Sequence, residues 1–172
     1  MDFRGENNYT FIDGQNLYLG TRADGWIIDL HRFRIYLREK YHVSNAYYFL
    51  GYVSDENTEL YTTIQKAGFI LNFREHNPAM IGTKKGNVDT DVVFEMMRTL
   101  IDETVTTKIL LVSGDGDYKK AVDYIIKKDR FLKILFPNKR YSSLYKQLTV
   151  KYFDELGSER IKEKIEQKKR RA

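Results

Sequence analysis

The chain has 172 residues, of which 42% are hydrophobic and 31% are charged, an ordinary composition for one soluble globular domain. It contains no cysteine, which excludes disulfides and thiolate zinc sites and agrees with a reducing, cytoplasmic environment. It has no stretch of about 18 or more apolar residues and no apolar segment near its N-terminus, so neither a membrane-spanning helix nor a secretory signal is expected.

The formal net charge of +5 is concentrated near the C-terminus. Residues 158–172 hold seven Lys or Arg and three Glu, a net of +4, so residues 1–157 carry only about +1. We therefore predict a globular domain over residues 1–157 and a basic, helical C-terminal tail over residues 158–172. Such a tail could attract nucleic acid electrostatically, and a solvated helical end with charge pairs along one face explains it equally well.

Apolar runs alternate with helical stretches along the chain, a pattern typical of a parallel sheet flanked by helices. The predicted strands are, in chain order, 9–13, a strand within 42–53, 69–73, 108–114 and 131–136. The predicted helices lie near 29–40, 56–67, 89–103, 118–129 and 142–148. We therefore predict an α/β fold, a Rossmann-like three-layer sandwich with a central, mainly parallel five-stranded sheet.

One long irregular stretch, residues 76–87, separates the third predicted strand from the helix at 89–103. Loops of this length in compact domains are usually functional or disordered. Lys84 and Lys85 make the stretch a candidate flap that binds substrate, and a plain mobile loop is the alternative.

Acidic residues follow two of the predicted strands. Asp13 ends the first strand in FIDGQN, and Asp115 and Asp117 follow the fourth strand in SGDGD. Ligands of open α/β sheets bind outside the carboxyl ends of the strands where the strand order switches, and these two strands are expected to be neighbours there. No GxGxxG motif follows the first strand, so a dinucleotide cofactor is disfavoured. A tight turn is the alternative explanation of SGDGD.

A third acidic contribution comes from the start of the helix at 89–103. Its apolar residues recur at i, i+3 and i+4, and Asp89 extends that stripe towards the sheet edge. Asp91 falls with Glu95 on the polar face, where we expect solvent exposure. Capping of the helix N-terminus is the alternative role for both aspartates.

Four carboxylates thus converge at one predicted edge, and without a cation they would repel one another. Mg²⁺ and Mn²⁺ prefer oxygen ligands, and either ion could activate a water for phosphodiester cleavage. Asn16 and Ser113 could orient that water or a phosphate oxygen. The predicted metal ligands are Asp13, Asp89, Asp115 and Asp117.

The segments FIDGQNLY, KGNVDTDVVFEMM and LVSGDGDYKKAVDYI resemble the three signature blocks of the NYN family, a PIN-like nuclease group that includes LabA-like proteins. The resemblance covers roughly residues 9–137. It implies a PIN-like fold, metal-dependent endoribonuclease activity on RNA, and an active-site set of Asp13, Asn16, Asp89, Asp115 and Asp117. It also leaves a homodimer open, because PIN-like domains often dimerise.

The chain departs from the family pattern at two positions. Glu95 stands where many LabA-like relatives have an aspartate, and Tyr118 stands where the family has phenylalanine. Whether Asp91 or Glu95 completes the site stays open at this stage. So does the choice between RNA and single-stranded DNA.

Other interpretations compete with the nuclease. One is a catalytically degenerate RNA-binding or scaffolding module. A less favoured one is a phosphatase of the haloacid-dehalogenase type, which needs a second aspartate two residues after Asp13, where the chain has Gln15.

Tyr141 and Tyr145, beside basic residues, could bind nucleic acid or dock on the core. Residues 161–165 carry an isoleucine pair that could contact a partner chain.

Overall fold

The computed structural model describes residues 7–75 and 88–169. The predicted flap with Lys84 and Lys85 lies outside the described residues. The strands are β1 (Asn8–Asp13), β2 (Val43–Leu50), β3 (Ile70–Phe73), β4 (Ile109–Val112), β5 (Phe131–Phe136) and β6 (Phe153–Glu155). The helices are α1 (Gly14–Ala23), α2 (Leu30–Tyr41), α3 (Thr58–Lys66), α4 (Asp89–Asp102), α5 (Lys119–Lys127) and α6 (Glu159–Ile165).

The strands form one parallel sheet in the order β3-β2-β1-β4-β5-β6. The chain builds outwards from β1 to β3, then crosses back to place β4 against the other side of β1. The switch in strand order therefore falls between β1 and β4, where Ile12 is level with Val112. This confirms the predicted α/β fold and the predicted neighbourhood of these two strands.

The sheet has six strands where we predicted five. The additional strand β6 has only three residues, and Phe153 pairs with Ile134 of β5. The preceding helix predicted at 142–148 is instead a single turn of 3₁₀ helix, Ser143–Tyr145, whose N-terminus is capped by Ser142. A three-residue strand at a sheet edge has too few apolar positions to produce a periodic signal.

Two hydrophobic layers cover the two faces of the sheet, as expected for parallel strands that are buried on both sides. Successive residues of β1 alternate between them, with Phe11 on one face and Ile12 on the other. Helices α1, α2, α3 and α6 pack on the Ile12 face, and α4 and α5 pack on the Phe11 face.

Helix α1 is an element that the sequence did not predict. It begins directly after β1, with Asp13 as its N-cap. Only Gly14, Leu17 and Thr21 of its ten residues are buried, so the apolar stripe is too weak to recognise. A Cβ at position 14 would lie 2.6 Å from the backbone oxygen of Phe49, so glycine allows the helix to start in close contact with β2.

The start of the C-terminal segment is docked on the body. Ile161 and Ile165 are buried against the α2 layer, so the hypothesis that they contact a partner chain is wrong. Arg32 of α2 donates through Nη1 to the backbone oxygen of Glu166 at 2.8 Å. The backbone N–H of Gln167 donates to the oxygen of Ile27 at 2.8 Å, which extends the attachment beyond α6.

Among the helices of residues 7–75 and 88–169, none combines the length and apolar character needed to cross a membrane.

Candidate functional site

Three acidic side chains meet at the carboxyl edge of the sheet. Asp115 and Asp117 follow β4, and Asp89 is the first residue of α4. Each offers one carboxylate oxygen, and these three oxygens all lie within 4.8 Å of one another. The structure thus brings together three of the four carboxylates that the sequence analysis singled out.

The SGDGD segment is a structured turn as well as a source of carboxylates. The Asp115 side chain accepts from the backbone N–H of Asp117 at 3.0 Å and caps a turn of 3₁₀ helix, Gly116–Tyr118. Tyr145 donates its hydroxyl to the backbone oxygen of Asp115 at 2.6 Å. The turn interpretation and the metal-site interpretation are therefore compatible, because the turn fixes the direction of both acids.

Asp13 lies beside this cluster and is connected to it by Tyr118. Asp13 is only 5% exposed, and its Oδ1 accepts from the backbone N–H of Asn16 at 3.1 Å. The fully buried Tyr118 hydroxyl is 3.0 Å from Asp13 Oδ2 and 2.8 Å from Asp89 Oδ1. A phenol has one proton, so it donates to one of these carboxylates at a time. The sequence marked Tyr118 only as a departure from phenylalanine; its added hydroxyl was the signal of this bridge.

The electrostatics of the site are those of crowded negative charge. Burial raises the pKa of Asp13, and the charges of Asp89 and Asp115 raise it further, while hydrogen bonds from Asn16 and Tyr118 oppose the rise. The charge of Asp115 raises the pKa of Asp117, and a hydrogen bond with Asp89 and its charge add to the effect. A hard cation would relieve this repulsion.

The phenol itself stays protonated at any ordinary pH. Burial raises the pKa of Tyr118 far above its usual value, and the charges of Asp13 and Asp89 reinforce the shift. Tyr118 is therefore a permanent hydrogen-bond donor between the two carboxylates.

Asn16 and Ser113 hold the site together through backbone contacts. Asn16 accepts from the Gly114 N–H through Oδ1 at 2.8 Å and so joins the start of α1 to the loop after β4. Ser113 is fully buried, and its Oγ accepts from the Asp115 N–H at 3.1 Å. A substrate contact by Ser113 stays a prediction, since its observed contact is internal.

Neither residue considered as an additional ligand belongs to the three-oxygen cluster. Glu95 forms an ion pair with Nη2 of Arg98 at 2.7 Å. Asp91 is half-buried rather than exposed as we expected, and its buried Oδ2 has no hydrogen-bond partner among the described residues. The orientation of α4 covers part of the Asp91 side chain, which the polar-face pattern of the sequence did not indicate.

The tyrosines after β5 dock on the core. Tyr141 stacks on Phe136 with ring centroids 3.8 Å apart, and Tyr145 is 1% exposed. Tyr145 is therefore not a surface on which a base could stack, and the docking alternative holds for it. The neighbouring cations Lys139, Arg140 and Lys146 are exposed.

Comparisons with known proteins show the family and the fold of the chain. The family model of the NYN domain matches residues 9–154. Low amplitude and bright protein LabA of Synechococcus elongatus is 24% identical over 165 residues, which covers 90% of this chain and 86% of that protein. The crystal structure of a protein of unknown function from Vibrio parahaemolyticus superposes with a TM-score of 0.72 at 18% identity, over 92% of this chain and 96% of that one.

Proposed function

The chain belongs to the NYN domain family, whose members are PIN-like nucleases, and we propose that it is a metal-dependent endoribonuclease that hydrolyses RNA phosphodiester bonds. The observation that carries the proposal is the cluster of three carboxylate oxygens from Asp89, Asp115 and Asp117, all within 4.8 Å of one another. It lies at the switch between β1 and β4, where open α/β sheets bind their ligands.

The donor set suits Mg²⁺ or Mn²⁺. All its members are carboxylates, the ligands that hard divalent cations prefer, and neighbouring negative charge raises the pKa of Asp117. Asp89, Asp115 and Asp117 would hold the ion, and Asp13 is the proposed fourth ligand beside them. A bound ion supplies Lewis-acid stabilisation of charge on the phosphate and a more acidic water.

The remaining residues of the site act by positioning. Tyr118 keeps the Asp13 and Asp89 carboxylates at a fixed separation through its hydroxyl. Asn16 holds the Gly114 backbone through Oδ1, which leaves its side-chain N–H groups to orient a water or a phosphate oxygen. Because both residues are themselves held by the chain, the reacting groups need little reorganisation.

The proposal includes finer expectations. Lys84 and Lys85 would gather the RNA backbone, together with basic residues of the C-terminal segment. Single-stranded DNA is the alternative polymer, the expected location is the cytoplasm, and self-association as a homodimer is open to direct measurement.

The test is cleavage of labelled RNA and labelled single-stranded DNA with Mg²⁺, with Mn²⁺ and with a chelator. Wild type is compared with Asp115→Asn and with Asp102→Asn, a matched change at an exposed aspartate outside the site. We expect internal cleavage of RNA that requires metal, disappears in Asp115→Asn and persists in Asp102→Asn. RNA binding without cleavage under any metal would refute the enzyme and favour the degenerate binding module.

A further inference from the structure

A cavity of about 230 Å³ opens beside the carboxylate cluster, between α1 and the segment that follows β5. It is lined on one side by Asn16, Leu19 and Gly20, and on the other by Pro137, Asn138 and Arg140. We call it the α1–β5 cavity. Ligand pockets for drug-sized molecules begin near about 300 Å³, so a cavity slightly below that size suits one small unit rather than a long segment.

The walls of the α1–β5 cavity are held by the chain itself. Asn138 donates through Nδ2 to the Gly20 backbone oxygen at 2.9 Å and accepts from the Arg140 N–H through Oδ1 at 2.8 Å. A Cβ on Gly20 would come within 2.5 Å of the Pro137 Cβ, so glycine lets α1 approach this segment closely. The cavity is therefore preformed.

The lining offers three kinds of contact. Leu19 is 55% exposed and gives an apolar surface. The side-chain N–H groups of Asn16 remain after its Oδ1 has accepted from Gly114. Arg140 forms an ion pair through Nη2 with Oδ1 of Asp24 at 2.7 Å. Because a guanidinium has five N–H donors, others remain for an anion. The apolar surface of Leu19 suits a base, and the amide donor of Asn16 suits a ribose. The cation of Arg140 suits a phosphate.

The cavity and the carboxylate cluster share a boundary. Gly114 lines the cavity and is joined directly to Asp115, and Asn16 lines it while its backbone N–H holds Asp13. The carboxylates alone would repel a nucleic-acid strand, whereas the Arg140 guanidinium, which is paired with Asp24 through Nη2, keeps its other N–H donors on the side of the cavity formed after β5. A strand that crosses the cluster would meet this cation at the neighbouring nucleotide.

We propose that the α1–β5 cavity is a subsite for one nucleotide of a single-stranded RNA, the one next to the cleaved phosphodiester. Its phosphate is bound by Arg140 and its base lies against Leu19. This inference deepens the proposed function and rests on it for the identity of the polymer.

The test is binding of a short fluorescent oligouridylate in the presence of a chelator, so that cleavage does not enter the measurement. Arg140→Gln is compared with Arg38→Gln, a matched control, because both side chains are 65% exposed and both pair with an acid. We expect Arg140→Gln to weaken binding about 3- to 10-fold. The plot of the logarithm of the binding constant against the logarithm of the salt concentration should become less steep by about 0.7, the value for one lost phosphate contact on a single strand. Arg38→Gln should bind as wild type does, and Arg140→Lys should recover part of the loss.

A second measurement locates the nucleotide directly. An oligouridylate that contains 4-thiouridine is crosslinked to the full chain, and the adduct is mapped by mass spectrometry. We expect adducts on the peptides that carry Leu19 or Pro137, and competition by uridine monophosphate but not by the same concentration of inorganic phosphate.

The outcomes separate this inference from the nuclease proposal. Metal-dependent cleavage with equal binding by Arg140→Gln and Arg38→Gln, and with adducts elsewhere, would overturn the subsite and leave the nuclease standing. Adducts in the cavity without cleavage would support the subsite and count against the nuclease. Equal competition by inorganic phosphate would reduce the cavity to an anion site and refute nucleotide recognition.

Discussion

Replacing Asp13 by asparagine should stabilise the protein. Asp13 is 5% exposed, and burial together with the charges of Asp89 and Asp115 raises its pKa. The folded state then binds the Asp13 proton more tightly than the unfolded chain does. The free energy of unfolding therefore decreases as the pH rises from the ordinary aspartate pKa of about 3.9 through the raised value.

The size of the gain follows from the contacts. The amide introduced by Asp13→Asn would still accept from the Asn16 N–H through its oxygen. Its nitrogen could donate to the Tyr118 oxygen, which frees the phenol proton for Asp89. Burying a polar group whose partners compensate only in part costs about 1–3 kcal/mol in folded proteins. We expect Asp13→Asn to raise the free energy of unfolding by about 1–2 kcal/mol, or Tm by about 2–8 °C.

The assay is urea denaturation of metal-free protein with a chelator, as a function of pH. Asp154→Asn is the matched control, because Asp154 also accepts from a tyrosine, Tyr41 at 2.6 Å, but has a cation, Lys133, at 3.1 Å. Its replacement should destabilise by about 1–3 kcal/mol. The gain in Asp13→Asn should vanish below the ordinary aspartate pKa, where Asp13 is protonated in both states. A loss of stability at neutral pH, or a gain that does not change with pH, would refute the reasoning.

Three further predictions concern other parts of the molecule. Tyr118→Phe removes the donor shared by Asp13 and Asp89, so we expect a loss of about 1–2 kcal/mol in the free energy of unfolding and weaker Mn²⁺ binding by calorimetry. Unchanged Mn²⁺ affinity would contradict the positioning role of the phenol. Ile165→Ala should cost about 2–4 kcal/mol because Ile165 is fully buried, whereas Ile101→Ala, at a position 81% exposed, should change stability by about 0.5 kcal/mol or less. Mn²⁺ at about 100 times its Kd should raise the free energy of unfolding of wild type by about 2.7 kcal/mol, measured by thermal denaturation. The same concentration should leave the stability of Asp117→Asn nearly unchanged. Equal stabilisation of both proteins would place the ion elsewhere.

Much of the site's location was predictable from the chain. Aliphatic runs identified β1 and β4, and the rule that ligands bind where strand order switches placed Asp13 and Asp115 at one edge. The apolar stripe of α4 brought Asp89 to the same edge. These inferences succeeded because each depends on a strong local periodicity and on one topological rule.

The parts that could not be predicted depend on contacts between distant segments. The hydroxyl of Tyr118 joins Asp13 to Asp89 across 105 and 29 positions of sequence, and no local pattern reports such a bridge. Tyr145 also donates to the backbone oxygen of Asp115, 30 positions away. Its ring is buried, although the sequence analysis considered it as a surface for binding nucleic acid. Helix α1 was missed because its buried residues are too few to give an amphipathic signal.

The docking of α6 fixes where the basic C-terminal segment leaves the body. Helix α2 leads into β2 through one residue, so its C-terminus lies at the amino end of β2 and its N-terminus points back towards the carboxyl edge. The backbone N–H of Gln167 donates a hydrogen bond to the oxygen of Ile27, two residues before the Asp29 N-cap of α2. Each residue beyond Gln167 adds at most about 3.6 Å of reach. The positive charges of Lys168 and Lys169 are therefore confined to a short distance from the carboxyl edge of the sheet, on the side where α2 begins.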